Sequence, residues 1–456
     1  MASDRALRAD VIVVGSGPGG ATLARELTRA GKKVLLLERG IDYRAKPYYG
    51  TYLGPLIYAD RASLLFTQEG LNIVRPLMLG GATSMYCGCA APPPAWFKDR
   101  YRLDIDAEVA EATRELGVAP LPEEARGRAS TRIAEAARGL GYDWQPQLKF
   151  MRISRCKNGF DCGAKCMLGC RCGAKWNAAE FADQAVAEGA DLQTRAYVKK
   201  LLFSEGRCVG VEGTLDRRPF TANAPVVVLS AGGIGTPRIL QASGFKRAGE
   251  GMTMDITVMV YGFSKDPGIG KEPPMTWSWE NLEGRYMLST LADPWLLFPL
   301  ITALKGIKYP FYWPKWGKLL GVMIKLRDDV SGGVFPNGRI SKPMTAGDRG
   351  RLKEAEQLCA RILKEAGADT STIFTTPQRG THPSGTVRVG VMLNEHLETE
   401  TPGLYVCDAS VFPEALGRPT VLTIIGLAKR LAKRLAGQPA ISKGSSDESR
   451  VAAEVK

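Results

Sequence analysis

Two histidines, ten cysteines and one glycine-rich turn are the residues of this 456-residue chain whose types and spacing could do chemistry. Five of the cysteines, Cys156, Cys162, Cys166, Cys170 and Cys172, crowd into "CKNGFDCGAKCMLGCRC", interleaved with Gly, Asn and Lys. Such a segment reads as an irregular loop that needs something to hold it. Disulfides require an oxidising compartment, and "MASDRALRADVIVVGSG" has no apolar run of the signal-peptide kind before its first strand. A cytoplasmic location and reduced thiols are therefore expected. Reduced thiolates at short spacing suit zinc or an iron–sulfur cluster. The intervals of five, three, three and one intervening residues do not match a paired Cys-x-x-Cys zinc site,. On spacing alone an iron–sulfur cluster, zinc and unligated packing cysteines all stay open.

The second chemical signal is "ADVIVVGSGPGGATLARELTRAGKKVLLLERG", which has the form of a β-α-β unit. Gly15 allows the tight turn, Gly17 lets the backbone approach a pyrophosphate, and Gly20 permits close packing of helix on strand. The helix N-terminus then faces the phosphates. Glu38 ends the second strand, where a carboxylate accepts hydrogen bonds from an adenosine ribose. The fingerprint does not separate NAD from FAD. A strand, Asp408, a loop and a helix from about Pro419 near the C-terminus form a return of the kind found in flavoproteins with a non-contiguous FAD domain.

Composition bounds the rest. The chain is 45% hydrophobic and 24% charged, ordinary for a globular protein with room for two structural domains,. Its net charge of +14 is scattered. No basic run lies in an aromatic platform or helix-turn-helix pattern, so no nucleic-acid partner is expected. The most apolar stretch, residues 294–326, is broken by Pro299, Lys305, Lys308, Pro310 and Pro314 and cannot span a bilayer,. Its Trp295, Tyr312, Trp313 and Trp316 beside lysines fit either a cover for an apolar substrate pocket or a peripheral membrane contact. Residues 438–456 lack periodicity and read as a disordered tail.

Five motifs in order carry a resemblance to the glucose–methanol–choline (GMC) oxidoreductase family. They are "GSGPGG" with Glu38, "LGGATSMYCG" (79–88), "VVVLSAGGIGTPRILQASG" (226–244), "THPSGTVRVG" (381–390) and "YVCDASVFPEALGRPTVLTIIGLAKR" (405–430). The resemblance implies an α/β fold, with a Rossmann-like, non-contiguous FAD-binding domain and an α+β substrate domain whose sheet roofs the flavin. It implies that Gly80, Gly81, Thr83 and Ser84 pack along FAD and that the main chain of Val198 meets the adenine. Asp408, Ala409 and Thr420 would reach the pyrophosphate and flavin. The FAD domain is expected from 1–100, 176–250 and 376–437, and the substrate domain from 101–175 and 251–375. "DIDAEVAEATRELG", "ARGRASTRIAEAARGLG" and "AEQLCARILKEAGA" have helical apolar spacing, whereas "GMTMDITVMVYGFSK" and "GRYMLSTL" read as strands.

Of the two histidines, His396 sits in a polar turn, and His382 sits where the family carries its catalytic base facing flavin N5. An imidazole with a pKa near 6.5 can take a hydroxyl proton at neutral pH while hydride leaves the carbinol carbon. The family usually places a second His or an Asn just before the C-terminal helix. Here Arg418 stands there, a group suited to binding a carboxylate or enolate substrate or to stabilising reduced flavin, and a poor second base.

Some dehydrogenases of the family carry an iron–sulfur cluster in a loop ending roughly Cys-x3-Cys-x2-Gly-Ala, similar to Cys166–Cys170 and the following Gly173-Ala174. The resemblance implies a 3Fe-4S or 4Fe-4S cluster on Cys156, Cys162, Cys166 and Cys170, with Cys172 as a substitute. It also implies an FAD-dependent dehydrogenase acting on an apolar alcohol, with electrons leaving for an acceptor protein or quinone. A relative with structural FAD doing lyase chemistry, and an electron-relay flavoprotein at a membrane surface, are the alternatives.

Overall fold

A computed structural model describes residues 5–156, 163–281 and 283–437. Three short apolar runs, Val11–Val14, Val34–Leu37 and Val226–Leu229, are almost wholly buried, as strands covered on both faces must be,. They pair in parallel, flanked by Leu404–Val406 and Asp191–Gln193, in a five-stranded sheet. Chain from residue 11 to residue 406 is thus needed to build one sheet, which is the non-contiguous arrangement expected.

Helices Pro18–Arg29, Asp106–Leu116 and Val421–Ala436 pack on this sheet's side of the molecule. Two buried cations tie them together. Arg25 pairs with Glu26 and Glu115, and Lys429 pairs with Glu26, Glu111 and Glu115. The helix Asp106–Leu116, grouped in sequence with the substrate domain, contributes Val109, Ala112 and Leu116 to the nucleotide-side core.

A nine-stranded sheet forms the second layer, centred on Ile256–Phe263, Leu319–Leu326, Tyr286–Thr290 and Trp277–Glu280. Its register sorts the side chains. Thr257, Lys325 and Met287 lie opposite one another in adjacent strands, and Glu280 continues the row. Directly paired residues project from the same face. The alternate row, Val258, Ile324, Leu288 and Trp279, belongs to the face covered by the helices Arg128–Gly139 and Ala346–Glu365. The Tyr286 hydroxyl, on that same face, donates to Glu354 of the long helix. The sheet therefore turns an apolar face to helices and a mixed polar face towards the nucleotide side.

Two sequence expectations change here. The third helix begins at Ala346, nine residues before the apolar spacing that signals it. A capping box between Thr345 and Asp348 fixes that start,. The apolar stretch 294–326 is not one cover. It divides into a helix Leu297–Ala303, a 3-10 segment Tyr309–Lys318 and the strand Leu319–Leu326, all eight residues of which are buried. Among the described residues no helix is long and apolar enough to cross a membrane.

Candidate active site

The glycine turn does what its spacing requires. Gly15 adopts φ +103°, and a Cβ there would strike the Ser230 carbonyl. A Cβ on Gly20 would strike the Gly15 carbonyl, so helix and strand meet only because neither residue has a side chain,. Gly17 has nothing within 4 Å of its Cβ position and opens onto a cleft of about 600 Å³.

Two helix N-termini reach this cleft. Pro18–Arg29 starts after Gly17 and Val421–Ala436 after Thr420, and neither has a side-chain cap. Their leading N–H groups and dipole ends suit a pyrophosphate and an electron-rich ring. Arg39, Arg75 and Arg238 also line the cleft, and none of the three was singled out by motif. The residues fit a dinucleotide of the FAD kind.

The expected cofactor residues divide into those that line the cleft and those that shape it. Gly15, Gly17, Glu38, Gly81, Val198, Asp408, Ala409 and Thr420 line it, together with His382. Glu38 accepts from the Ser16 amide (3.0 Å), the Ser16 hydroxyl (2.6 Å) and the Gly40 amide (2.8 Å). Its carboxylate therefore braces the loop as well as facing the cleft. Asp408 accepts from Thr236, Gly232 and Ser410, and burial raises its pKa despite these bonds.

Thr83 and Ser84 are fully buried and turn inward. The Thr83 hydroxyl donates to the Gly80 carbonyl, and Ser84 Oγ accepts from Asn177 Nδ2 at 3.1 Å. Gly80, at φ +87°, lies so close to Asn177 that a Cβ would meet the amide oxygen. These three residues anchor the loop, and Gly81 with Ala82 presents it to the cleft.

His382 also stands on the wall of the cleft. Its Nδ1 lies 2.7 Å from Asp255 Oδ2, which leaves Nε2 for a substrate. Asp255 is itself held tightly. Its second oxygen accepts from the Gly417 amide, its carbonyl accepts from the Thr257 and Thr381 hydroxyls, and it is 1% exposed. Asp255 also sits at φ +47°, an uncommon backbone conformation that an Asp tolerates better than most residues,. Burial lowers the His382 pKa from its ordinary 6.5, the nearby Lys325 ammonium lowers it further, and Asp255 opposes both. A neutral imidazole with Nδ1–H on Asp255 is the resulting state at neutral pH, a competent general base. Sequence reading missed Asp255 and Lys325. Asp255 interrupts an apolar strand entry, "MTMDITV", and that buried acid was the available signal.

Arg418 does not join this centre. Its guanidinium pairs with Glu280 and donates to the Pro92 carbonyl at 3.2 Å, and it is absent from the lining of the cleft. The partner on the roof sheet explains the departure from expectation, because an arginine next to Glu280 is drawn to the carboxylate. His396 lies half-buried beside Glu395, away from the cleft.

In the cysteine loop, Cys170 and Cys172 bring their sulfurs to 3.7 Å, and the Lys175 amide donates to Cys170 Sγ. Burial pushes the Cys172 thiol up to about 12, with Cys170 and Cys156 adding to the effect and the Ala174 amide opposing it. The buried Lys175 ammonium donates to the carbonyls of Ser84, Tyr86 and Cys166, fastening this loop to the one beside the cleft. Among the described residues no group of three or more His, Cys, Asp or Glu side chains is placed to hold a metal ion. Cys162 lies outside the described residues. Cys208, Cys359 and Cys407 are wholly buried, and Cys89 accepts from Lys149 at 3.2 Å.

Comparison with known proteins agrees with this geometry. The GMC oxidoreductase family matches at residues 78–272 and again at 336–428, and an FAD binding domain matches at 8–47. Protein MJ1450 of Methanocaldococcus jannaschii is 28% identical over 93% of this chain and 99% of its own length. Long-chain-alcohol oxidase FAO4B of Arabidopsis thaliana is 24% identical over 94% of this chain and 67% of its own. The structure of an Aspergillus oryzae formate oxidase superposes with a TM-score of 0.72 at 14% identity, covering 95% of this chain and 99% of that one, a likeness of fold. With the FAD-type cleft, the helix ends that face it and the histidine on its wall, these matches show that the chain belongs to the GMC oxidoreductase family, an α/β family of FAD-dependent oxidoreductases.

Proposed function

We propose that this protein oxidises the CH–OH group of an apolar alcohol, with His382 as the base. The observation that carries the reading is the His382–Asp255 pair on the wall of the FAD-type cleft, with Nε2 uncommitted. Bound FAD supplies the two-electron acceptor for the hydride. His382 Nε2 takes the hydroxyl proton, and Asp255 holds the imidazole in the required tautomer and steadies it once charged. The apolar substrate class is supported by the roof sheet, whose polar face carries Met259, Met287 and Met323 among few charged groups, and by the name of the FAO4B relative. A long-chain primary alcohol mixed anaerobically with the holoprotein is expected to bleach the flavin absorption. A flavin that stays oxidised with every alcohol tried, while the alcohol is otherwise consumed, would support the lyase alternative.

Part of this reading is a dehydrogenase that passes electrons to a protein or quinone. Its support is the cysteine loop, which Lys175 fastens to the segment beside the cleft. Protein purified without oxygen is expected to contain iron and acid-labile sulfide and to turn over with dyes faster than with oxygen. Absence of both, with brisk oxygen uptake, would make the loop a packing feature and the enzyme an oxidase.

A membrane surface is the proposed source of substrate. Ile307 is 89% and Phe311 81% exposed, and Leu300, Leu304, Leu53 and Leu56 stand out beside Lys305 and Lys308. The Tyr52 hydroxyl accepts from the Leu296 amide, joining the two exposed segments. Apolar tips with basic neighbours are the pattern of a monotopic contact. Vesicles of phosphatidylglycerol should sediment the wild type and release the Ile307→Asp, Phe311→Asp double variant. Equal sedimentation of both would refute the contact.

A further inference from the structure

Lys325 is a buried lysine that makes no ion pair with a carboxylate among the described residues. It sits on the central strand of the roof sheet, opposite Thr257, and is 3% exposed. Its Nζ donates to Thr381 Oγ1 at 2.9 Å, the one hydrogen bond it makes among the described residues. An ammonium carries three donors and is costly to bury unless they are used. The other buried lysines show how such donors are normally spent. Lys342 pairs with Asp328 and donates to two carbonyls and a hydroxyl, and Lys175 donates to three carbonyls. Lys149 donates to the Cys87, Pro274 and Met275 carbonyls and to Cys89 Sγ. Lys429 pairs with Glu26, Glu111 and Glu115, so Lys325 alone of the five buried lysines is left with donors to spare.

Its place gives those donors a use. Thr381 is exposed on the cleft wall and immediately precedes His382. Burial lowers the Lys325 pKa, Asp255, Cys87, Cys89 and Asp328 oppose that effect, and Lys325 in turn lowers the pKa of His382. Arg418, the residue standing where a second substrate-holding group was expected, is committed to Glu280. The reacting centre therefore has a base on the cleft wall and, from a different strand, a cation immediately behind Thr381, one layer in from that wall.

We propose that Lys325 is a catalytic residue that binds the substrate oxygen opposite His382. The inference rests on the alcohol-oxidation reading above. As the O–H bond breaks, the proton goes to His382 Nε2 and the electron pair stays on oxygen, where the ammonium offsets its charge. When the carbinol carbon gives up its hydride to FAD, that pair forms the carbonyl bond, and Lys325 keeps all three protons throughout. Preorganised donors aimed at a developing oxyanion are worth about 10²–10³ in rate.

The test compares holoprotein carrying Lys325→Met or Lys325→Arg with the wild type. The readouts are the anaerobic rate of flavin reduction by dodecanol and the binding of dodecanoate, followed by its perturbation of the flavin spectrum. Lys325→Met, with FAD retained, is expected to slow reduction about 10²-fold and to weaken dodecanoate binding about tenfold or more. Lys325→Arg should recover at least a tenth of wild-type rate and most of the carboxylate affinity. Reduction within threefold of wild type in Lys325→Met would overturn the role while leaving the alcohol reading intact. Loss of FAD from both variants would also overturn it, because the lysine would then be structural. A wild type that no alcohol reduces would overturn the alcohol reading itself, and the role with it.

Discussion

The nucleotide cradle and the face of the roof sheet solve their tasks by different means. In the cradle, selectivity comes from backbone: glycines at 15 and 20 that admit no Cβ, uncapped N–H groups ahead of Pro18 and Val421, and a carboxylate at 38 that braces the turn. On the roof side it comes from side chains brought into line by strand register, with Thr257 and Lys325 paired across two strands and His382 held by Asp255. The backbone device tolerates almost no substitution at its glycines.

This contrast can be broken at several points. The largest effect is expected from Gly15→Val, which places a branched side chain at φ +103° against the Ser230 carbonyl. Purified protein should lack flavin absorbance altogether, and FAD at near wild-type stoichiometry would refute the cradle's dependence on backbone. Next is Asp255→Asn, which keeps shape but no longer fixes the Nδ1–H tautomer. Flavin reduction should fall about 10²-fold or more, with FAD content unchanged.

A smaller effect separates structural from chemical polar groups. Lys342→Met removes one partner of the buried pair with Asp328. It should cost about 3–5 kcal/mol in denaturant unfolding and leave the rate per bound flavin within about threefold. Smallest is Arg418→Ala, which breaks the link to Glu280 but removes nothing from the cleft wall. The rate should change less than about threefold, and a 10²-fold loss would return Arg418 to the reacting centre.

The same contrast explains what could be read in the sequence. The cradle was legible because its constraints are local: Gly15, Gly17 and Gly20 fall within six residues and their spacing is set by one turn. His382 was legible only through its motif. Asp255 and Lys325 were not, since 127 residues separate His382 from Asp255 and only the pairing of Ile256–Phe263 with Leu319–Leu326 brings Lys325 near. Lys325 also hid at the end of a stretch read for its aromatic and apolar content, where one lysine resembles an interruption. Arg418 was placed by analogy with its position in the chain. What overrides the analogy is Glu280, a partner distant in the chain and invisible to local pattern. Thr83 and Ser84 were expected to pack along the flavin, but their hydroxyls serve Gly80 and Asn177.

The most direct test of the account is the pH dependence of anaerobic flavin reduction by a long-chain alcohol in wild type and His382→Ala. Because the free imidazole is the active form and its pKa lies below 6.5, the wild-type rate should be level at neutral pH and fall only as pH drops through that lower value,. His382→Ala should be slower by about 10²-fold or more and show no such limb. A flavin-replete His382→Ala protein that is reduced within threefold of wild type, with the same acid limb, would contradict the assignment of His382 as the base.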